Sequence, residues 1–203
     1  MIFVTPFFPA HTDYEKFSKA LKSRGQCDGH SHLIVTQRQD EPAAIEFSKA
    51  VGKLFDSTTI KVIDAVVQGG LVAVSNALFK AAFYAFREDK SGATLPMLYG
   101  DPTWYPVKQG WLNAIQAEYF SKGMPRILSR FQANAKGEKI TRGPVLMSRA
   151  YIEDAPLVPH IPLRTHWREY LRYEMGNVSQ PSVTISTGDK AVLKFNKTAV
   201  AVK

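Results

Sequence analysis

Apolar residues recur along most of the chain in short runs that alternate with longer stretches of helical spacing. The short runs predict buried strands, because apolar runs of about four to eight residues bounded by turn residues are typical of a parallel sheet. The longer stretches place apolar side chains three or four positions apart, which indicates helices with a buried face. We predict strands at residues 2–5, 32–36, 59–67 and 94–99, and helices at residues 13–24, 41–55, 71–87 and 110–121.

Further elements follow these four strand-then-helix units. Short apolar runs predict strands at residues 127–128 and 144–147, and helical spacing returns over residues 163–175. This succession predicts an α/β domain with a mainly parallel central sheet over residues 1–175.

The last part of the chain, residues 176–203, has a different pattern. Val, Thr, Ser and Lys dominate it, and the alternation predicts a β-hairpin of residues 182–186 and 192–195, with a last strand at 198–202. Since a lone hairpin is only marginally stable in water, we expect this β-rich extension to add to the parent sheet or to dock on another chain.

Composition narrows the class of protein. Of the 203 residues, 45% are hydrophobic and 22% are charged, which is ordinary for a globular chain and excludes disordered, collagen-like and coiled-coil classes. No apolar run approaches the roughly 20 residues that span a bilayer. The first residues lack the pattern of a signal peptide, so we expect no secretion and no membrane partner. Cys27 is the single cysteine, which excludes an internal disulfide.

The formal net charge is +8, and most of the excess lies between residues 101 and 150. Two interpretations stay open for this basic stretch: a solvated surface, or a patch for phosphates, nucleic acid or an acidic protein face. No nucleic-acid-binding motif accompanies it, so a nucleic-acid partner is not expected. Glu138 is the one acid among its basic residues Arg126, Arg130, Lys136, Lys139, Arg142 and Arg149.

Ligands of parallel α/β sheets bind at the carboxyl ends of the strands. That rule selects Thr5–Pro6, Thr36–Asp40, Gly69–Asn76 and Gly100–Trp104. The chain contains neither a dinucleotide-binding glycine motif nor a P-loop. The Gly69-Gly70 pair is therefore either an ordinary turn or a place where a phosphate approaches a helix.

One segment is specific enough to suggest a family. Residues 98–115, LYGDPTWYPVKQGWLNAI, followed by Glu118-Tyr119, resemble a pattern in small glycosyltransferase-like proteins of bacteriophages. The resemblance extends to Val4-Thr5-Pro6, to residues 70–86 and to residues 143–151, and so covers roughly residues 1–175.

The resemblance implies a GT-A-like sandwich that binds a nucleotide-sugar. In that family an Asp-x-Asp motif holds Mn²⁺ or Mg²⁺ on the diphosphate, and a carboxylate-held cation neutralises the charge of the leaving group. Here Asp101 occupies the first acidic position, whereas the second holds Thr103, whose hydroxyl carries no charge. The resemblance further implies Thr5, Asp40 and Asn76 as nucleotide contacts, Arg142 as a cation for the diphosphate, Trp104 as a stacking surface for the acceptor, and Glu153 or Asp154 as the general base.

Two hypotheses follow from this sequence. The first is an enzyme, a phage-encoded glycosyltransferase whose transfer activity depends on how Thr103 is compensated. The alternative is a catalytically inactive virion structural protein, a capsid decoration or accessory protein, that reuses the fold and contacts other virion proteins. Both place the chain in the host cytoplasm or in the virion.

Overall fold

The computed structural model describes residues 1–64, 67, 70–89, 95–133, 139–154, 166–168, 179–185 and 190–195. Its centre is a seven-stranded sheet with the order β3-β2-β1-β4-β7-β6-β8. Neighbouring strands are parallel except β7, which runs antiparallel to both β4 and β6. The predicted α/β class with a mainly parallel central sheet is confirmed.

The first half of the chain alternates strands and helices as predicted, with shifted boundaries. Its strands are β1 (Ile2–Phe7), β2 (Cys27–Gln37), β3 (Phe55–Ile63) and β4 (Met97–Tyr99), and its helices are α1 (Tyr14–Lys22), α2 (Glu41–Val51) and α3 (Gly70–Glu88). β1 and β2 are longer than predicted and β3 begins earlier, because pairing with neighbouring strands carries β-structure into polar positions that the apolar pattern leaves out.

The second half contains elements that the sequence pattern did not predict. Its strands are β5 (Trp104–Pro106), β6 (Ile127–Ala133), β7 (Lys139–Met147), β8 (Ser179–Pro181) and β9 (Leu193–Phe195), and its helices are α4 (Trp111–Ser121) and α5 (Arg149–Asp154). β5, α5 and β8 were not predicted. β6 and β7 extend as an antiparallel pair through the basic stretch, where Arg130 lies opposite Arg142.

The sheet has an apolar cluster on each face, because successive side chains of a strand point to opposite sides. Phe3 and Leu98 belong to the cluster that includes Phe17 of α1 and Trp111 of α4. Their chain neighbours Val4 and Tyr99 belong to the opposite cluster, with residues of α3, α5 and Trp167. The result is a three-layer sandwich in which β1 and β4 lie at the centre.

The described part of residues 176–203 pairs with the body of the molecule. β8 lies beside β6 at the edge of the main sheet, and β9 pairs with β5. Residues 183–185 form a bend, not the first arm of the expected hairpin. Polar groups of residues 182–184 bond Glu118 of α4. The N–H of Ser182 also donates to the Ser129 carbonyl of β6, and the Thr184 carbonyl accepts from the N–H of Val192. The predicted helix at 163–175, apart from residues 166–168, and the predicted strand at 198–202 lie outside the described residues.

None of the helices in the described ranges is both long enough and apolar enough to cross a bilayer.

Candidate functional site

A cavity of about 460 Å³ opens at the carboxyl ends of β1 and β4. Four parts of the chain enclose it: the segment after β1, the first half of α3, the segment after β4, and residues 166–168. The residues that line it are Pro6, Phe8, His11, Thr12, Tyr14, Leu71, Ser75, Leu78, Tyr99, Gly100, Asp101, Pro102, Thr103, His166, Trp167 and Arg168. This is the edge of the sheet where the strand rule places a ligand.

Asp101 is the acid in the wall of this cavity, and protein donors bond both of its oxygens. Oδ1 accepts from the backbone N–H of Thr103 at 3.0 Å and from the Thr103 hydroxyl at 2.5 Å. Oδ2 accepts from Nη2 of Arg168 at 2.8 Å. The residue in the second motif position therefore donates to the first, so the two side chains act as one unit.

Arg168 supplies the positive charge of the site. Its side chain is 17% exposed and that of Asp101 is 22% exposed, so the ion pair is partly shielded from solvent. The guanidinium also donates to the carbonyl oxygen of Gly143 and lies over the Trp167 ring at 4.6 Å from the ring centre. Gly143 is required there, because its φ is +79° and a Cβ would lie 2.6 Å from the Trp104 ring.

Tyr99, the last residue of β4, is 2% exposed and lines the cavity. Its ring packs against Phe79 and Trp167. Among the described residues its hydroxyl oxygen is buried without a hydrogen-bond partner. Burial raises the pKa of Tyr99 well above its ordinary value, and the nearby charge of Arg168 lowers that pKa only in part. Tyr99 is therefore a neutral hydroxyl that can donate a hydrogen bond.

The segment after β1 is held in place by Tyr14. The Tyr14 hydroxyl donates to the carbonyl oxygen of Pro6 at 2.5 Å and accepts from the backbone N–H of Phe8 at 2.8 Å. The Phe8 and His11 rings then lie 4.8 Å apart, centre to centre, in the cavity wall. This arrangement gives the cavity an aromatic side next to its charged side.

Residues 166–168 are held against α3 by polar contacts. Asn76 accepts from the backbone N–H of Trp167 at 2.8 Å, and the Trp167 indole N–H donates to Ser75 Oγ at 3.1 Å. His166 Nε2 lies 3.3 Å from the same oxygen. These bonds fix the direction in which Arg168 leaves the backbone, so the predicted residue Asn76 lies one step behind the cavity wall.

Of the other predicted nucleotide contacts, Thr5 and Asp40 do not line the cavity. Thr5 is buried and its hydroxyl lies 2.9 Å from His32 Nε2. Burial lowers the pKa of His32 to about 3, so this ring is neutral. Asp40 follows β2, and burial raises its pKa. Arg142 lies in β7, and its side chain is outside the described part of the structure.

The predicted acceptor and base residues are also outside the lining. Trp104 is 5% exposed and packs in the core, with the Arg130 guanidinium 5.7 Å from its ring centre. Glu153 and Asp154 lie in α5, near the amino end of β4, and pair with Arg149 and Arg126 respectively. The structure thus brings Asp101 and Thr103 to the cavity and places Asn76 behind it. It leaves Thr5, Asp40, Trp104, Glu153 and Asp154 apart.

Sequence reasoning missed Arg168 and Tyr99. Arg168 is 67 positions from Asp101, and no spacing rule connects two residues that distant. The signal available for Tyr99 was its place at the carboxyl end of a predicted strand, directly before the motif.

The residues at Asp101 do not fit Mn²⁺ or Mg²⁺. Mg²⁺ in particular requires near-octahedral oxygen ligands, commonly one or two carboxylates with substrate phosphates and water. Here the single carboxylate is bonded on both oxygens, and a guanidinium stands beside it. Within the described ranges, no three His, Cys, Asp or Glu side chains are grouped so that they could hold a metal ion.

Comparisons with known proteins show which folds this chain resembles. No protein-family model matches the sequence, and no curated protein is detectably similar to it. The fold is similar to that of mouse xyloside xylosyltransferase 1 in its apo form, with a TM-score of 0.62, 8% identity, and coverage of 100% of this chain and 98% of that one. It is also similar to the glycosyltransferase GlyE of Streptococcus pneumoniae TIGR4, with a TM-score of 0.53, 10% identity, and coverage of 90% and 44%.

These likenesses show a glycosyltransferase-like, GT-A-like fold. At such identities they concern the fold alone. The predicted nucleotide-sugar ligand, phage origin and virion role stay predictions.

Proposed function

We propose that this chain is a glycosyltransferase that binds a nucleotide-sugar in the cavity at the carboxyl ends of β1 and β4. One observation carries the proposal: in a glycosyltransferase-like fold, the cavity at this edge contains an Asp101–Arg168 ion pair. A fold alone does not identify an activity. The ion pair in the cavity wall is a feature of the site itself, so it supports an activity more directly than the fold does.

The cavity suits a ligand with an apolar part and an anionic part. Its volume of about 460 Å³ lies within the usual range for small-molecule sites, roughly 300–1,000 Å³. Phe8, Leu71 and Leu78 offer flat or apolar surface for a base or a sugar ring. Arg168 offers a cation for phosphate oxygens, since a guanidinium matches the geometry of a phosphate.

The chemistry of glycosyl transfer explains why such a cation is useful. The bond between the sugar carbon and the diphosphate oxygen breaks, and a bond to the acceptor oxygen forms. The acceptor loses its proton to a base, and the nucleoside diphosphate leaves with the bonding electrons. A fixed positive charge beside that leaving group stabilises the transition state more than the ground state.

Isothermal titration with a panel of nucleoside diphosphates and nucleotide-sugars tests the proposal. We expect at least one uridine or guanosine compound to bind with a Kd below about 1 mM, a ligand free energy of roughly −4 kcal/mol or better. The same compound should release free nucleoside diphosphate slowly in the presence of the protein, because water can act as a poor acceptor. No binding at millimolar concentration across the panel would contradict the proposal.

A matched variant pair locates the binding. Arg168→Gln removes the cation of the cavity, whereas Arg126→Gln removes an arginine that pairs with Asp154 near the opposite end of β4. We expect the first to weaken binding and the second to leave it unchanged. Equal losses in both variants would point to unspecific attraction by the net charge of +8.

A further inference from the structure

We infer that the cavity holds the diphosphate without a divalent cation: Arg168 and Tyr99 bond its oxygens, and Asp101 holds Arg168 in place until the ligand arrives. This inference rests on the proposed function. It names the groups that would recognise the anionic part of the ligand, and it assigns Asp101 a different role from the metal ligand that the sequence predicted.

The bonds of Asp101 carry the first step. The two Thr103 donors fill Oδ1, so a cation at this carboxylate would have to bind Oδ2, where Arg168 already donates. It would also stand next to the guanidinium, which repels it. The Thr103 hydroxyl donates a hydrogen bond to Asp101 and adds no negative charge to offset that repulsion. Asp101 and Thr103 together thus suit an arginine as partner and not a metal ion.

The geometry of Arg168 carries the second step. A guanidinium that accommodates a carboxylate also accommodates a phosphate, because both present oxygens to the same planar fork of N–H groups. Asp101 therefore occupies on Arg168 a place that a phosphate oxygen can take. When a phosphate arrives, the bond from Arg168 to Gly143 and the Trp167 ring keep the guanidinium in the cavity wall. Asp101 keeps its Thr103 donors during the exchange.

The hydroxyl of Tyr99 is a third observation in support of the inference, and it does not depend on the ion pair. Its oxygen is buried and has no hydrogen-bond partner among the described residues, and Tyr99 is a lining residue of the same cavity. A buried polar group left unpaired is destabilising, so a buried hydroxyl in this state needs an explanation. A phosphate oxygen bonded to Arg168 would give Tyr99 an acceptor.

The first experiment compares binding with and without metal. The probe is the nucleoside diphosphate that binds best in the titration panel, added to the full chain in EDTA and, separately, in excess Mn²⁺. We expect dissociation constants that agree within about twofold. Binding that appears only with Mn²⁺ would overturn this inference and leave the proposed function standing, whereas no binding in either buffer would contradict the proposed function itself.

Three variants test whether Asp101 holds Arg168 or binds a metal ion. Losing a charge-assisted bond costs about 1.5–3 kcal/mol, so Arg168→Gln should weaken binding roughly ten- to hundredfold. Tyr99→Phe should weaken it about three- to tenfold, the effect of a neutral hydrogen bond. Asp101→Asn should tighten binding about two- to fivefold, because it removes the anion that competes for Arg168, while the bond to Gly143 still holds the guanidinium. An unchanged affinity would show that Asp101 does not compete with the ligand and would overturn that part of the inference. A metal ligand would behave in the opposite way, and loss of binding in Asp101→Asn would overturn the inference.

Thermal melts of the same variants show whether each of them still folds. Tyr99→Phe should melt at the same temperature or higher, because it removes a buried hydroxyl that has no partner among the described residues. A lower affinity together with an unchanged melt would support a ligand role that a merely structural tyrosine would not show. Asp28→Asn is the control for the change in charge, since Asp28 is exposed at the opposite end of the sheet. If Tyr99→Phe binds as tightly as the natural chain, its part of the inference is wrong.

Discussion

Two carboxylates of this molecule have several protein donors each, yet their surroundings differ. Glu118 of α4 bonds the backbone N–H groups of Val183 and Thr184, at 2.8 and 3.0 Å, and the hydroxyls of Ser182 and Thr184. Its side chain is only 6% exposed. Asp101 bonds Thr103 and Arg168 in the wall of a cavity and is more than three times as exposed.

This difference shows why one acidic residue is structural whereas the other can exchange its partner for a ligand. Four donors of residues 182–184 bond Glu118, and the Lys122 ammonium lies 3.1 Å from its Oε1. Glu118 does not line the cavity, so a ligand bound there does not compete for these bonds. The partner of Asp101 is a long cationic side chain that an anion in the cavity can reach. The access of a competing ligand, more than the number of bonds, separates the two sites.

Replacing Glu118 should have the largest effect. Glu118→Ala leaves the donors of residues 182–184 unpaired in a buried place, which we expect to lower the free energy of unfolding by about 3–5 kcal/mol. Urea unfolding measures this loss, and hydrogen exchange at 182–184 should rise with it. Glu118→Gln, which keeps an acceptor, should lose less. A loss below about 1 kcal/mol in Glu118→Ala would remove the distinction between the two sites.

Acid should weaken the Glu118 contact over a defined pH range. Burial alone would raise its pKa, but the hydrogen bonds from Thr184, Val183 and Ser182 outweigh that effect and lower the pKa from 4.5 to about 2. A lowered pKa means that the stabilisation is complete above about pH 4.5 and is lost as the pH falls towards 2, a linked free energy of about 3 kcal/mol. Unfolding measured between pH 6 and 2 should show this loss, and Glu118→Gln should show a smaller pH dependence.

Tyr14→Phe should have an intermediate effect on the cavity side. It removes the donor to Pro6 and leaves the N–H of Phe8 without its acceptor, so we expect a loss of about 1–3 kcal/mol in unfolding free energy. Because Phe8 and His11 form the aromatic wall, ligand affinity should fall as well. Phe17→Leu, on the same helix but outside the cavity lining, is a control that should lower stability without a comparable effect on affinity.

Asp101→Asn should have the smallest effect on stability. A partly exposed ion pair contributes about 1 kcal/mol or less, and asparagine still accepts from Thr103. Its melting temperature should therefore stay close to that of the natural chain. A loss as large as that of Glu118→Ala would show that Asp101 is structural, and the comparison of the two acids would fail.

The order of strands and helices in the first half was predictable because local pattern determines it. Runs such as Ile2–Thr5 and the helical spacing in residues 71–87 describe each element's own buried face. The second half was less predictable. β5 and α5 are short, and they depend on partners distant in the chain: Trp104 pairs with Phe195, and Arg149 bonds the Phe86 carbonyl.

The sequence by itself determined the α/β class and the motif at Asp101, since apolar periodicity and the residues after a strand are local properties. Tertiary structure alone decided which groups Asp101 contacts. It brought Arg168 to one carboxylate oxygen and Thr103 to the other, and it buried the hydroxyl of Tyr99, a lining residue of the same cavity. It likewise assigned Glu118 to hold residues 182–184, which the alternation had predicted as a strand. The physical reason is the same for both acids. A carboxylate bonds whichever donors the fold brings within reach, and the positions of two residues along the sequence do not show whether the fold brings them together.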